Sequence, residues 1–352
     1  MNRVFLLAAS CVLSLGLVSA ALAKPLKVCV SSTDVKTIVE AVGGDAVSVT
    51  GFVKGPDDPH VVQPTRRMIE ALARADLLVI VGNALEEAWL PGMVTQAGRA
   101  ELGAGGKRHL DLSANLRTIV GPEGRGVPGS FHPEDNPHFL VDAVEGVKAA
   151  AAVADKLSEV APEQTDQFEQ RYRTFAKAVM VEMLGEAIAS KHPAEDFEEL
   201  AIAIERGKLA EHLAAHGGGD VALGGQLAVF EPFRDTPLVG DHDMWPYFAR
   251  RYGVRVLGYL EPEPGVPPTA PHLQDVIGEM KARDVGAILT VAYFDPRHAR
   301  FVADATGAVI APMAHNPESR PGTESYLDMI RYNAQTLYEV LEKSRAGEAA
   351  AP

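Results

Sequence analysis

Two blocks of short apolar runs alternating with amphipathic segments flank one long stretch of helical periodicity, and no other feature of the chain restricts its fold as much. In the first block Leu26–Ser31, Ala46–Val53, Leu77–Gly82 and His109–Leu112 read as strands, with Asp34–Val42, Thr65–Ala75 and Leu85–Ala97 as helices. The second block repeats the scheme. Its strands are Pro237–Gly240, Val254–Leu260, Ala287–Thr290 and Val309–Ala311, and its helices are Met244–Tyr252, His272–Ala282, Pro296–Ala305 and Ser325–Lys343. Strand and helix in strict alternation, with glycine-punctuated apolar strands, call for an α/β fold of mostly parallel sheets covered by helices.

The stretch from Asn136 to Ser190 is helical in pattern. Phe168, Tyr172, Phe175, Val179 and Met183 follow one another at helical spacing and mark one apolar face. Pro162 near the start and Pro193 past the end frame a helix of Pro162–Ser190, ~42 Å long at 1.5 Å per residue. Such a strut resists hinge closure. The expected organisation is an N-terminal lobe at 24–160, a linking backbone helix at 161–192, a C-terminal lobe at 193–345 and a flexible tail at 346–352. Gly121–Gly129 reads as a surface loop, and Ala194–Gly219 as an acidic helical segment broken at Gly217-Gly218-Gly219.

Residues 1–23 are expected to be a signal peptide. Arg3 supplies the basic start, Val4 to about Val18 the apolar run, and Ala21-Leu22-Ala23 the small-x-small site. A membrane anchor is the rival, since the stretch approaches the ~20 residues that span a bilayer; the charged, strand-like segment after Ala23 favours cleavage. Cys11 makes a poor lipoprotein site. The mature chain is therefore expected in the periplasm, with no membrane insertion. A net charge of −14 repels phosphate backbones and anionic headgroups and argues against nucleic acid. Two cysteines, Cys11 and Cys29, exclude a disulfide framework, and Cys29 reads as a buried packing residue.

Three of eleven histidines sit where strands run out or helices open. His60 lies in Asp57-Asp58-Pro59-His60, His138 in Asp135-Asn136-Pro137-His138, and His242 in Gly240-Asp241-His242-Asp243. Ligands of open parallel sheets bind beyond the carboxyl ends of strands, so His60 and His242 belong to two faces of one cleft. Any single histidine is more often a surface or satisfied core residue. Three in such contexts suit a four-coordinate Zn²⁺ site. Other signals are weaker. Gly103-Ala104-Gly105-Gly106-Lys107 lacks the spacing of a phosphate loop. Trp89 and Trp245 read as core or cleft lining, and Glu195–Glu199 as a solvated face. His212 and His216 have chelating i, i+4 spacing, yet the glycine run beside them favours an exposed helix end.

Several motifs then match a known family. They are Gly55-Pro56-Asp57-Asp58-Pro59-His60, Ala75-Asp76-Leu77-Leu78-Val79, Gly82-Asn83-Ala84-Leu85-Glu86 with Trp89-Leu90, and Asn136-Pro137-His138. Asp241-His242-Asp243 leading to Tyr247–Gly253, and Tyr326–Asn333, complete the set. From about Leu26 to Leu341 the chain resembles the solute-binding proteins of zinc and manganese ABC transporters, the ZnuA/TroA-like group. The resemblance implies two four-stranded lobes joined by a rigid backbone helix, with His60, His138 and His242 as metal ligands between them. It departs from the family where a carboxylate usually supplies the fourth ligand: the last strand reads Val309-Ile310-Ala311-Pro312-Met313, and no Glu stands near Val291. Glu261, Asp295, His315 or a water are the open substitutes. The family's His-rich loop is absent, with only His132 in its place, and Glu195–Phe233 is longer than the family's equivalent.

The expected function is a monomeric periplasmic receptor, not an enzyme. It captures a divalent transition metal, Zn²⁺ foremost and Mn²⁺ as the alternative, and delivers it to an ABC transporter membrane permease. A secreted zinc hydrolase with Glu261 or Asp295 as base is the rival, since three histidines and an open position are also a catalytic pattern. A receptor for a metal chelate is the third reading.

Overall fold

Strands β1 (Leu26–Val30), β2 (Val47–Gly51), β3 (Leu77–Ile80) and β4 (His109–Asp111) pair in parallel in the order β2-β1-β3-β4. Strands β5 (Pro237–Gly240), β6 (Arg255–Tyr259), β7 (Ala287–Thr290) and β8 (Val309–Pro312) repeat that order as β6-β5-β7-β8. The α/β fold with two four-stranded parallel sheets is thus the fold observed. This computed structural model describes residues 24–115, 136–192, 196–216, 222–262 and 266–347. The expected leader, the Gly121–Gly129 loop, His132, the Gly217-Gly218-Gly219 break and residues 348–352 lie outside them. Among the described residues no helix is long and apolar enough to cross a membrane.

The strands are short and covered on both faces, which explains continuous apolar runs such as Leu77–Ile80. The inner faces share one core with α1 (Thr33–Gly43), α4 (Ala143–Val160), α5 (Thr165–Leu184), α10 (Pro246–Tyr252) and α13 (Tyr326–Ala346). Val30 and Val79 of the first sheet and Leu238 and Leu289 of the second belong to that single core. The outer faces form separate clusters. Cys29, Leu78 and Ile80 pack with α2 (Arg66–Ala73) and α3 (Leu90–Ala97), and Val239 and Ile288 with α11 (Ala270–Ala282) and α12 (Pro296–Thr306).

The linking helix is shorter than its sequence pattern predicts. Pro162–Gln164 form a 3₁₀ turn, and α5 spans 20 residues, ~30 Å, before Gly185 stops it at φ +81°. A four-residue α6 (Glu186–Ala189) follows. The spine is instead a pair, α4 packed against α5 through the tight turn at 161–164. The helix expected over Leu85–Ala97 also begins late, at Leu90. Glu86 is the physical reason: buried, it accepts the Val81 and Gly82 N–H groups at 2.9 and 3.1 Å and holds 82–89 as a turn. The C-terminal helix runs on to Ala346 with Gly347 as its left-handed cap, so the first tail residue is helical.

Polar contacts lock the halves together. Asp142 caps α4 through Val144 N and takes a two-point ion pair from Arg251 at 2.7 and 2.9 Å, both side chains almost fully buried. Tyr326 places its hydroxyl 2.8 Å from Leu140 O, and this close crossing requires Gly146, whose Cβ would lie 2.2 Å from that hydroxyl.

Candidate metal centre

The three singled-out histidines meet. Ring centroids lie 5.0 Å apart for His60 and His138, 5.4 Å for His60 and His242, and 5.3 Å for His138 and His242. The ring planes cross at 61° to 87°, and one nitrogen from each ring lies within 4.8 Å of the other two. Edge-on rings pointing at a common centre from three directions suit one cation with little rearrangement.

Each ring is aimed by local chemistry. His60 follows β2, and Asp58 Oδ1 accepts both its backbone N–H, at 2.9 Å, and its ring Nδ1–H, at 2.8 Å. His138 opens a 3₁₀ turn (His138–Val141), and its N–H donates to Asn136 Oδ1 at 2.9 Å. The two loops therefore share one device. An Asp or Asn two positions before the histidine accepts its N–H, with an intervening proline fixing φ. The repeated Asp/Asn-Pro-His triplet is the sequence signal for these supports, and the hydrogen bonds to Asp58 and Asn136 are what its prolines and histidines alone did not reveal. Asn136 also donates to Asp243 O at 2.7 Å, binding the His138 loop to the His242 loop across the cleft. Trp89 Nε1 donates to Pro59 O at 3.3 Å and steadies the His60 loop, so this indole is more than lining.

His242 leaves the end of β5, beside the point where the sheet order reverses, and Glu261 Oε2 accepts its Nδ1–H at 2.5 Å. Burial, reinforced by His60, pushes the His242 pKa down to about 3, so its imidazole is neutral. Beneath it Asp241 accepts Val291 N–H at 2.7 Å, and burial raises this carboxyl to about 8. Asp58 is pushed up by burial, but the His60 hydrogen bonds and charge outweigh this and hold it below the usual carboxylate range.

The proposed substitutes for a fourth ligand go elsewhere. Among the described residues no carboxylate, thiol or further imidazole joins the three-histidine cluster. Glu261 is engaged with His242 on the side of Nδ1. Asp295 caps α12 and pairs with Arg297 at the surface. His315 is buried, with Nε2 donating to Asp57 O at 3.2 Å, so it props the His60 loop from the opposite lobe. Neither carboxylate offered as a hydrolytic base belongs to the cluster.

Two parallel sheets on a shared helical spine, with side chains converging where their switch points face each other, define the class of two-lobed solute-binding proteins. The chain belongs to the ZnuA family (zinc-uptake complex component A, periplasmic), whose model matches residues 28–189 and 228–340. It is 25% identical over 209 residues to the high-affinity zinc uptake system protein ZnuA of Brucella suis, covering 58% of this chain and 50% of that protein. The chain thus matches about half the length of that relative. It is 21% identical over 324 residues to the manganese-binding lipoprotein MntA of Halalkalibacterium halodurans, covering 90% and 89% of the two chains. A crystal structure of ZnuA has the same fold, with a TM-score of 0.64 at 17% identity, covering 90% of this chain and 99% of that one.

Proposed function

We propose that this chain is a periplasmic receptor that captures a divalent transition metal, Zn²⁺ in preference to Mn²⁺, through His60, His138 and His242. It then delivers the ion to the membrane permease of an ABC importer. The convergence of three imidazoles from separate loops carries the reading. Imidazole nitrogens bind Zn²⁺ at ~2.0–2.1 Å, which puts them ~3.4 Å apart on a tetrahedral ion, so small side-chain rotations close the set. Three imidazole nitrogens favour zinc, because Mn²⁺ prefers oxygen ligands, and among the described residues no fourth side chain joins them. Asp58 and Glu261 on Nδ1 leave each Nε2 as the metal-facing atom and lend negative charge to the cleft. Family membership, zinc uptake in the Brucella relative and manganese binding in the Halalkalibacterium relative support the same reading.

The lobes are taken as 24–160 and 193–345 on either side of the linking segment 161–192, working as a monomer after loss of residues 1–23. Their shared core and the Asp142–Arg251 pair favour release by local loop movement over wide lobe rotation. The test is calorimetric titration of the chelator-treated chain with Zn²⁺ and Mn²⁺. Zn²⁺ should bind far tighter, and His60→Ala, His138→Ala and His242→Ala should each weaken it by orders of magnitude. Unchanged affinity in all three variants removes the site.

A further inference from the structure

The family model stops at residue 189 and resumes at 228. In that interval the chain carries α7 (Phe197–Glu205), α8 (Leu209–Ala215) and a second histidine group. His192 follows α6, whereas His212 and His216 lie one turn apart on and just beyond α8. Ring centroids are 5.8 Å apart for His192 and His212, 6.4 Å for His192 and His216, and 4.2 Å for His212 and His216. The His192 side chain is 1% exposed, yet its Nε2 has no hydrogen-bond partner among the described residues, and neither does the buried Nε2 of His212.

We infer that His192, His212 and His216 form a second binding site for a late divalent transition metal, distinct from the cleft and particular to this inserted segment. Two sequestered imidazole nitrogens facing no partner are costly in an ordinary core and useful beside a cation. His216 Nδ1 donates to His212 O at 2.8 Å, which fixes its tautomer and leaves Nε2 as the lone-pair atom. Asp196 Oδ2 stands 4.0 Å from His192 Nδ1, placed to orient that ring once it ligates. The His192 ring stands farther from the two α8 rings than any cleft pair, and the His212 and His216 rings stack at 24°, so the ion must draw α8 toward His192 and turn these rings edge-on. Bound metal therefore pins the insert against the end of the spine. Imidazole donors suit Zn²⁺, Ni²⁺ and Cu²⁺ and exclude hard cations such as Mg²⁺ and Ca²⁺.

The test is Zn²⁺ stoichiometry of the chelator-treated full chain, by equilibrium dialysis with elemental analysis. Two ions should bind per wild-type chain and one per His60→Ala/His138→Ala/His242→Ala chain. Adding His212→Gln and His216→Ala, which spare buried His192, should take that variant from one to zero. If the triple cleft variant binds none, or still binds one after the α8 changes, the inference is overturned. One ion on the wild type, lost with the α8 changes alone, would sink the cleft reading and leave this one standing. Circular dichroism of each metal-free variant separates lost ligation from lost folding.

Discussion

Replacing Glu261 by Gln keeps the size of the side chain and removes its charge. His242 and Glu261 are 3% and 7% exposed and 2.5 Å apart, so no water replaces the carboxylate when it goes. A glutamine carbonyl still accepts from Nδ1, but a neutral hydrogen bond is roughly half as strong as a charge-assisted one. A partner of this kind is worth about 10–100-fold in metal affinity, or ~1.4–2.8 kcal/mol. Glu261→Gln should therefore weaken Zn²⁺ binding by that factor and His242→Ala by considerably more. Asp58→Asn should cost less than tenfold, because His60 and Asp58 are 22% and 32% exposed and water can take over. Competition against a chromophoric zinc chelator near pH 7 ranks the three variants, with metal-free unfolding midpoints as the folding control. Wild-type affinity in Glu261→Gln refutes the orienting role. A loss equal to that of His242→Ala refutes it differently, since the carboxylate would then be a ligand.

Asp142→Ala leaves Arg251 buried without its carboxylate and uncaps α4, so urea unfolding should show a loss of at least ~3 kcal/mol; a change below ~1 kcal/mol contradicts this. Gly146→Ala should destabilise by ~1–3 kcal/mol despite alanine's better helix propensity, because its methyl enters the Tyr326 ring; a raised melting temperature would exclude that contact. Burial raises Glu86 from 4.5 to about 7, so the native state holds its proton more tightly than the unfolded chain. That contribution is fully present below about 4.5 and is lost as pH rises through about 7. The stability of wild type relative to Glu86→Gln should therefore fall by up to ~3 kcal/mol between these limits, and parallel pH profiles would show that Glu86 is not the titrating group.

The α/β architecture was legible in the sequence because its causes are local. Runs such as Leu77–Ile80 and Ala287–Thr290 must be buried on both faces, and glycines and prolines mark where they end. His60, His138 and His242 stood out for a related reason, as imidazoles placed by proline or aspartate beside strand ends. What Glu261 does was not legible. A carboxylate 19 residues from His242 reads equally well as ligand, base or support, and only the pairing of β5 with β6 carries it to Nδ1. The same holds for Asn136 reaching Asp243 O across 107 positions and for His315 reaching Asp57 O across 258. His192 and His212 give the sharpest instance, because spacing pairs His212 with His216 and gives no hint of the buried ring before α7. Sequence fixes what is set within a turn or a strand, by periodicity and backbone restriction. Which distant groups share a hydrogen bond or a cation is decided by packing, whose energy belongs to contacts between segments that no local pattern encodes.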